Sequence, residues 1–173
     1  MAIVAKSADN GTFVNAPQGS HQAVCCDVID VGLVDVVQPD KSVKKVHKID
    51  IVWQLPIVNE ESGKRFTVRK RFTLSLSEKA NLRKDLEAWR GKPFPKEIVE
   101  TGFDVENLLG VNALLNVQHE ASREGRVYAN VKAIMALPQD MTPMVAVDYV
   151  RKCDRDQAPP PVSTPAVSAS STF

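Results

Sequence analysis

At 173 residues and 43% hydrophobic content the chain can bury one substantial core, and its length favours a single domain. No apolar run approaches the ~20 residues of a membrane-spanning helix, and "MAIVAKSADNGTF" has no sustained apolar stretch of the secretory type. The net charge of +1 hides an asymmetry: Lys41 to Lys92 holds fourteen Lys and Arg against six Asp and Glu, a local sum of +8, and the rest sums to −7.

Residues 1–20 carry Gly11, Pro17 and Gly19 without a clear period and read as an N-terminal arm. "HQAVCCDVIDVGLVDVV", 21–37, is Val- and Ile-rich and reads as a long strand, with Gly32 marking a bulge. After the turn "QPDKS", "VKKVHKIDIVWQL", 43–55, alternates. Ile49, Ile51, Trp53 and Leu55 share one face; Lys44, Lys48, Asp50 and Gln54 share the other. "PIVNEESG" reads as the next turn. In "KRFTVRKRFTLS", Lys64 to Ser75, the apolar face is Phe66, Val68, Phe72 and Leu74, with Lys70 the exception. Arg65, Thr67, Arg69, Arg71 and Thr73 face the other way, so the three strands read as an antiparallel meander.

The period then lengthens to that of a helix. Ser75 and Glu78 fit an S-x-x-E capping box, Leu82, Leu86 and Trp89 form an apolar stripe, Gly91 suits the C-terminal cap, and Pro93 prevents continuation. "PKEIVETG" and "DVENLLG" read as short helical turns. "VNALLNVQHE", 111–120, and "RVYANVKAIMAL", 126–137, read as a strand hairpin across "ASREG", and "MVAVDYV" as a candidate extra edge strand. From Asp154 the chain is Pro-, Ser- and Ala-rich and reads as a disordered tail. The predicted fold is mainly β with one main helix, in the order β-β-β-α-β-β. That is the element order of the OB-fold, a five-stranded Greek-key barrel, placed here over residues 21–153.

"RKRFTLSLSEKANLRKDLEAWRGKPF", "GFDVENLLGVNALLNV" and "EGRVYANV" together resemble a family of tailed-phage replication-module proteins, over roughly residues 11–150. Members of that family resemble OB-fold single-stranded DNA-binding proteins. The resemblance implies single-strand binding across the second and third strands and their flanking loops, in the cytoplasm of an infected bacterial host. Replication or recombination proteins and a second copy of the chain are the further partners it suggests. The tail departs from well-known bacterial single-stranded DNA-binding proteins: it ends "SASSTF", with Phe173 but only Asp154 and Asp156 for acid.

On an OB barrel the alternation turns Lys44, Lys48, Arg65, Arg69 and Arg71 toward the nucleic acid. Cations track phosphates, and guanidinium planes offer stacking surfaces as well. About five neutralised phosphates predict roughly a hundredfold loss of single-strand affinity between ~50 and ~200 mM salt. Trp53, Phe66 and Phe72 read as core, and Trp89 as a plug at the barrel's end. Tyr128, alternating with Arg126 and Lys132, is the candidate stacking residue, and Arg123 and Arg126 in the hairpin loop extend the basic surface.

Chemistry finds no purchase in the sequence. His21, His47 and His119 fall on three separate strands, without Cys or carboxylate at metal-ligand spacing, so no metal or cofactor is expected. Glu60 and Glu61 sit together in a turn. Phosphate-loop, dinucleotide and nucleophile-elbow motifs are absent, and adjacent Cys25 and Cys26 point to opposite faces of a strand. The sparse, odd cysteine count suits a reducing cytosol rather than a disulfide framework. The expectation is a non-enzymatic binder of single-stranded DNA. The alternative is an OB-like protein-interaction module, an adaptor or inhibitor of a host nuclease or replication factor.

Overall fold

A computed structural model describes residues 14–157. Five strands form one antiparallel sheet: β1 (Gly19–Val37), β2 (Val43–Val58), β3 (Arg65–Thr73), β4 (Asn112–Ala121) and β5 (Val127–Ala136), in the order β3-β2-β1-β4-β5. Helix α1 (Asn81–Arg90), helix α2 (Lys96–Thr101) and a 3-10 turn (Val105–Leu108) lie between β3 and β4, and helix α3 (Lys152–Gln157) follows β5. The sheet curls until its edge strands β3 and β5 approach each other, and α1 packs against both. No helix among the described residues is long and apolar enough to cross a membrane.

The inner face of the sheet and α1 enclose one core, in which Trp53, Phe72, Ile51, Leu55, Leu82, Leu86 and Leu115 are almost wholly buried. The α1 stripe is as the periodicity predicts: Leu82, Leu86 and Trp89 are its buried residues. Trp89 tilts against Trp53 with ring centroids 5.7 Å apart, and its indole N–H donates to the Asn112 carbonyl at 2.7 Å. Gly91 takes the left-handed conformation (φ 72°) that ends a helix most cheaply when no Cβ is present.

The capping-box expectation fails. Helix α1 starts at Asn81 with Ala80 as a cap that makes no side-chain bond, while the Ser75 hydroxyl accepts from the Ser77 N–H. Ser75 to Ala80 is instead a linker, drawn against the sheet where the Leu74 N–H donates to the His47 carbonyl. The side-chain tether lies at the other end. One Glu87 carboxylate oxygen accepts from the Phe94 N–H (3.1 Å) and from Arg83 Nε (3.0 Å), tying the helix to the chain that follows it.

Those bonds, the Phe94 N–H first, hold the Glu87 carboxyl below the usual carboxylate range. The folded state therefore binds fewer protons than the unfolded chain as pH falls through that range. The contribution is complete above it and lost below. The urea midpoint of Glu87→Gln should thus fall short of the wild-type midpoint near about pH 7, and the two should converge near about pH 3. A constant gap at both pH values would exclude this role for the carboxylate.

β1 explains why its sequence is so uniformly apolar. From Ala23 to Val28 every residue is buried, although only Ala23, Cys25 and Val28 belong to the core. The register slips between Cys25 and Asp27, so Cys26 and Asp27 both leave the core face. A second slip falls between Asp30 and Gly32, where Gly32 adopts φ 83° as the bulge reading expects. Burial pushes the Cys26 thiol up to about 12 and the Cys25 thiol higher, so neither is a thiolate near neutral pH.

What buries the outer face is the segment expected to add an edge strand. "MVAVDYV" forms no strand. Its backbone groups are taken by side-chain amides: Gln54 accepts from the Val147 N–H (2.8 Å) and donates to its carbonyl (2.6 Å), and Asn112 pairs likewise with Met144 at 2.8 and 2.9 Å. Gln22 holds the Thr142 carbonyl at 2.6 Å. An extended chain with both partners of its peptide groups supplied by side chains needs no sheet edge. The strap ends on Asp27, fully buried, whose carboxylate accepts from Tyr149 Oη (3.0 Å), Arg151 Nε (3.2 Å) and the Lys152 N–H (2.8 Å). Helix α3 crosses the position expected to begin the tail, and residues 158–173, with Phe173, lie outside the described residues.

Candidate functional site

The alternation of β3 places Val68 and Phe72 buried and Arg69 and Arg71 exposed, as read, whereas Leu74, expected on the apolar face, lies past the strand's end at Thr73 and is exposed. Lys70, the exception, lies opposite Ile51 on the core side. Its stem passes Phe72, with Nζ 5.3 Å from the ring centroid, and Nζ reaches Asp85 of α1 at 2.5 Å. A snorkelling cation thus joins the sheet to the helix that covers it.

Several predicted contact residues are already engaged. Asp50, 2% exposed, stands opposite Arg71 in the register and takes its guanidinium in two parallel bonds, at 2.7 and 2.9 Å. Arg69 Nη1 lies 3.8 Å from the same carboxylate. Lys48 Nζ donates to Thr73 Oγ1 at 2.8 Å, and Arg65 donates to the Val145 carbonyl of the strap at 3.2 Å. On β5, Lys132 pairs with Glu120, whose carboxyl is lowered by that lysine first and by Asn130 second. Tyr128 lies opposite Glu120 in the register and is 44% exposed, while Arg126 stands in the exposed mouth of the β4–β5 hairpin.

A groove of about 660 Å³ opens between the β1–β2 hairpin and the Ser75–Ala80 linker. Lys44, Lys45, Lys48, Arg71, Ser77 and Lys79 are among its lining residues. The structure therefore gathers Lys44, Lys48 and Arg71, whereas Arg65, Arg69, Arg126, Tyr128 and Lys132 line other surfaces. Lys45 and Lys79 escaped the sequence reading for separate reasons. Lys45 has the parity of the apolar face of β2 but lies beyond the core, where both faces of the hairpin are wet. Lys79 follows the expected Ser75–Glu78 cap, where a helix would begin, but lies in the linker before Asn81. The signal that would have found Lys45 is the Lys44-Lys45 doublet itself, which no core strand tolerates. Lys44, Lys45 and Lys79 make no ion pair among the described residues, so the groove keeps a positive field that Asp50 only partly offsets at Arg71.

Each histidine has a hydrogen-bond partner: His21 and His119 reach the carbonyls of Pro17 and Ala16, and His47, at the groove's edge, meets Asp30 at 2.6 Å. No group of three or more His, Cys, Asp or Glu side chains gathers at metal-binding range among the described residues. The arrangement suits a linear polyanion, held by long cations over an open groove. No protein-family model matches the chain, and comparison with curated proteins gives no match.

Proposed function

We propose that the protein binds single-stranded DNA without strong sequence preference, as an OB-type, non-enzymatic component of phage DNA replication or recombination in the host cytoplasm. The observation that carries the reading is the groove of uncompensated lysines, Lys44, Lys45 and Lys79, beside the β1–β2 hairpin and β3. The strand order β3-β2-β1-β4-β5, the helix between β3 and β4, and the approach of β3 to β5 support an OB barrel. On such a barrel the second and third strands and the hairpin between the first two form the nucleic-acid surface. The resemblance to tailed-phage replication proteins supplies the biological setting.

The test is fluorescence anisotropy of a labelled oligo-dT and its duplex counterpart across a salt series, with wild type and the Lys44→Glu, Lys45→Glu double variant. About four phosphate contacts predict a log–log salt slope near about −2.8, or roughly fiftyfold weaker binding from about 50 to about 200 mM. The double variant should bind at least about tenfold more weakly and with a shallower slope. Absence of binding at low salt, or a flat salt response, would overturn the reading. One observation favours the alternative of a protein-interaction module: Leu33, Val37 and Val43 on the hairpin are each more than half exposed. An apolar contact there would show as binding that salt does not weaken.

A further inference from the structure

The outer face of β2 and β3 is not simply covered by the strap. Two adjoining clefts, of about 400 and 290 Å³, open between them, and Thr67, Tyr149 and Arg155 line both. Ile29 and Val52, which lie outside the core cluster, give the larger an apolar floor, and Arg69 stands at its side. The smaller adds Lys64 and Arg65, with Asp148 as its one acid. The Tyr149 ring is half-buried and held by its hydroxyl on Asp27, and the Arg155 guanidinium lies 5.8 Å from the ring centroid.

We infer that these clefts form a nucleotide subsite, in which Tyr149 stacks a base and Arg155 and Arg69 hold the adjoining phosphate. This deepens the single-strand reading and rests on it. An apolar floor, a fixed aromatic ring and flanking guanidiniums are the components of a sequence-tolerant base-stacking platform. The sheet itself is poor in such rings: Trp53 and Phe72 are buried in the core, leaving Tyr128 as the exposed aromatic of β5. The strap supplies what the strands lack. The clefts and the lysine groove also lie in series along β3, since Arg65, Thr67 and Arg69 line the clefts and Arg71 and Thr73 the groove. Nine residues at about 3.3 Å each give a track of about 30 Å, long enough for several nucleotides.

The test uses the full chain, labelled oligo-dT, and the variants Tyr149→Ala, Tyr149→Phe and Arg155→Ala. Tyr149→Phe keeps the ring and should bind within about twofold of wild type, whereas Tyr149→Ala should bind about tenfold more weakly. Arg155→Ala, an exposed change, should make the salt slope shallower by about 0.7. If Tyr149→Phe loses as much affinity as Tyr149→Ala, the residue anchors the strap and does not stack, and the inference falls. Should Tyr149→Ala not fold, the slope of Arg155→Ala decides alone. Normal binding by all three variants, with loss in the Lys44→Glu, Lys45→Glu protein, removes this subsite and leaves the broader reading standing. Failure of wild type to bind removes both.

Discussion

Replacing Trp89 by alanine is expected to lower folding stability by about 4 kcal/mol, the middle of the range for truncating a buried aromatic. The ring is 4% exposed, closes the end of the core and lies against Trp53. For a domain of this size that is a fall of roughly 10 °C in the thermal midpoint. The two tryptophans should then part company on substitution by phenylalanine. Trp89 donates its N–H to the Asn112 carbonyl, so Trp89→Phe loses a hydrogen bond and leaves a half-buried acceptor without it. The Trp53 N–H is buried with no partner among the described residues, so Trp53→Phe removes an unsatisfied donor and offsets part of its cavity cost. Urea denaturation should rank Trp89→Phe as the more damaging by about 1 kcal/mol. Equal midpoints would show that the Asn112 bond adds nothing beyond packing.

Asp27→Ala is the second large effect, expected at about 3 kcal/mol, with its consequences concentrated in the strap. A single buried carboxylate receives three donors from Tyr149, Arg151 and Lys152, and Arg151 continues to Glu106 at 2.9 Å. Removing the acceptor leaves a partly buried cation and a backbone N–H to find water. Hydrogen exchange should therefore quicken through residues 142–152 while the core of β1 and β2 stays protected, and trypsin should cut sooner at Arg151 and Lys152. Uniform loss of protection across the sheet would contradict the view that Asp27 acts mainly as the strap's anchor. The same variant also loses the Arg151 and Lys152 bonds that fix the strap carrying Tyr149, so weaker oligonucleotide binding is expected to accompany strap release.

These expectations depend on features that differ greatly in how visible they were. β2, β3 and α1 were legible because their apolar residues recur at periods of two and about three and a half, each with one geometric solution, whereas β1 was legible only from its Val and Ile content. Gly32 and Gly91 were legible because a positive φ is cheap for glycine and costly for others. Element ends were less so. Ser75 and Glu78 have the spacing of a capping box, yet the Leu74 N–H bond to His47 commits the backbone to the sheet and delays the helix to Asn81. Local capping strength, about 1 kcal/mol, does not outweigh a continued ladder.

The candidate site shows the same division. Alternation alone put Arg65, Arg69 and Arg71 on one face of β3 and Lys44 and Lys48 on the matching face of β2. It could not show that Asp50 grips Arg71, because an acid and a base on neighbouring strands become partners only once the register aligns them. Nor could it bring Lys45 and Lys79 to one groove.

Legible in the chain itself were a mainly β fold of three strands, a helix and a strand hairpin, most of the core residues, and a basic central region. Tertiary structure alone decided that "MVAVDYV" is a strap, that Gln54, Asn112 and Asp27 are its docking points, and that Tyr149 and Arg155 stand over β3. The physical reason is that hydrophobic periodicity is a local property, set by the geometry of a few residues. Hydrogen-bond partnership across ninety or more residues belongs to no segment, and exists only after the chain has closed on itself.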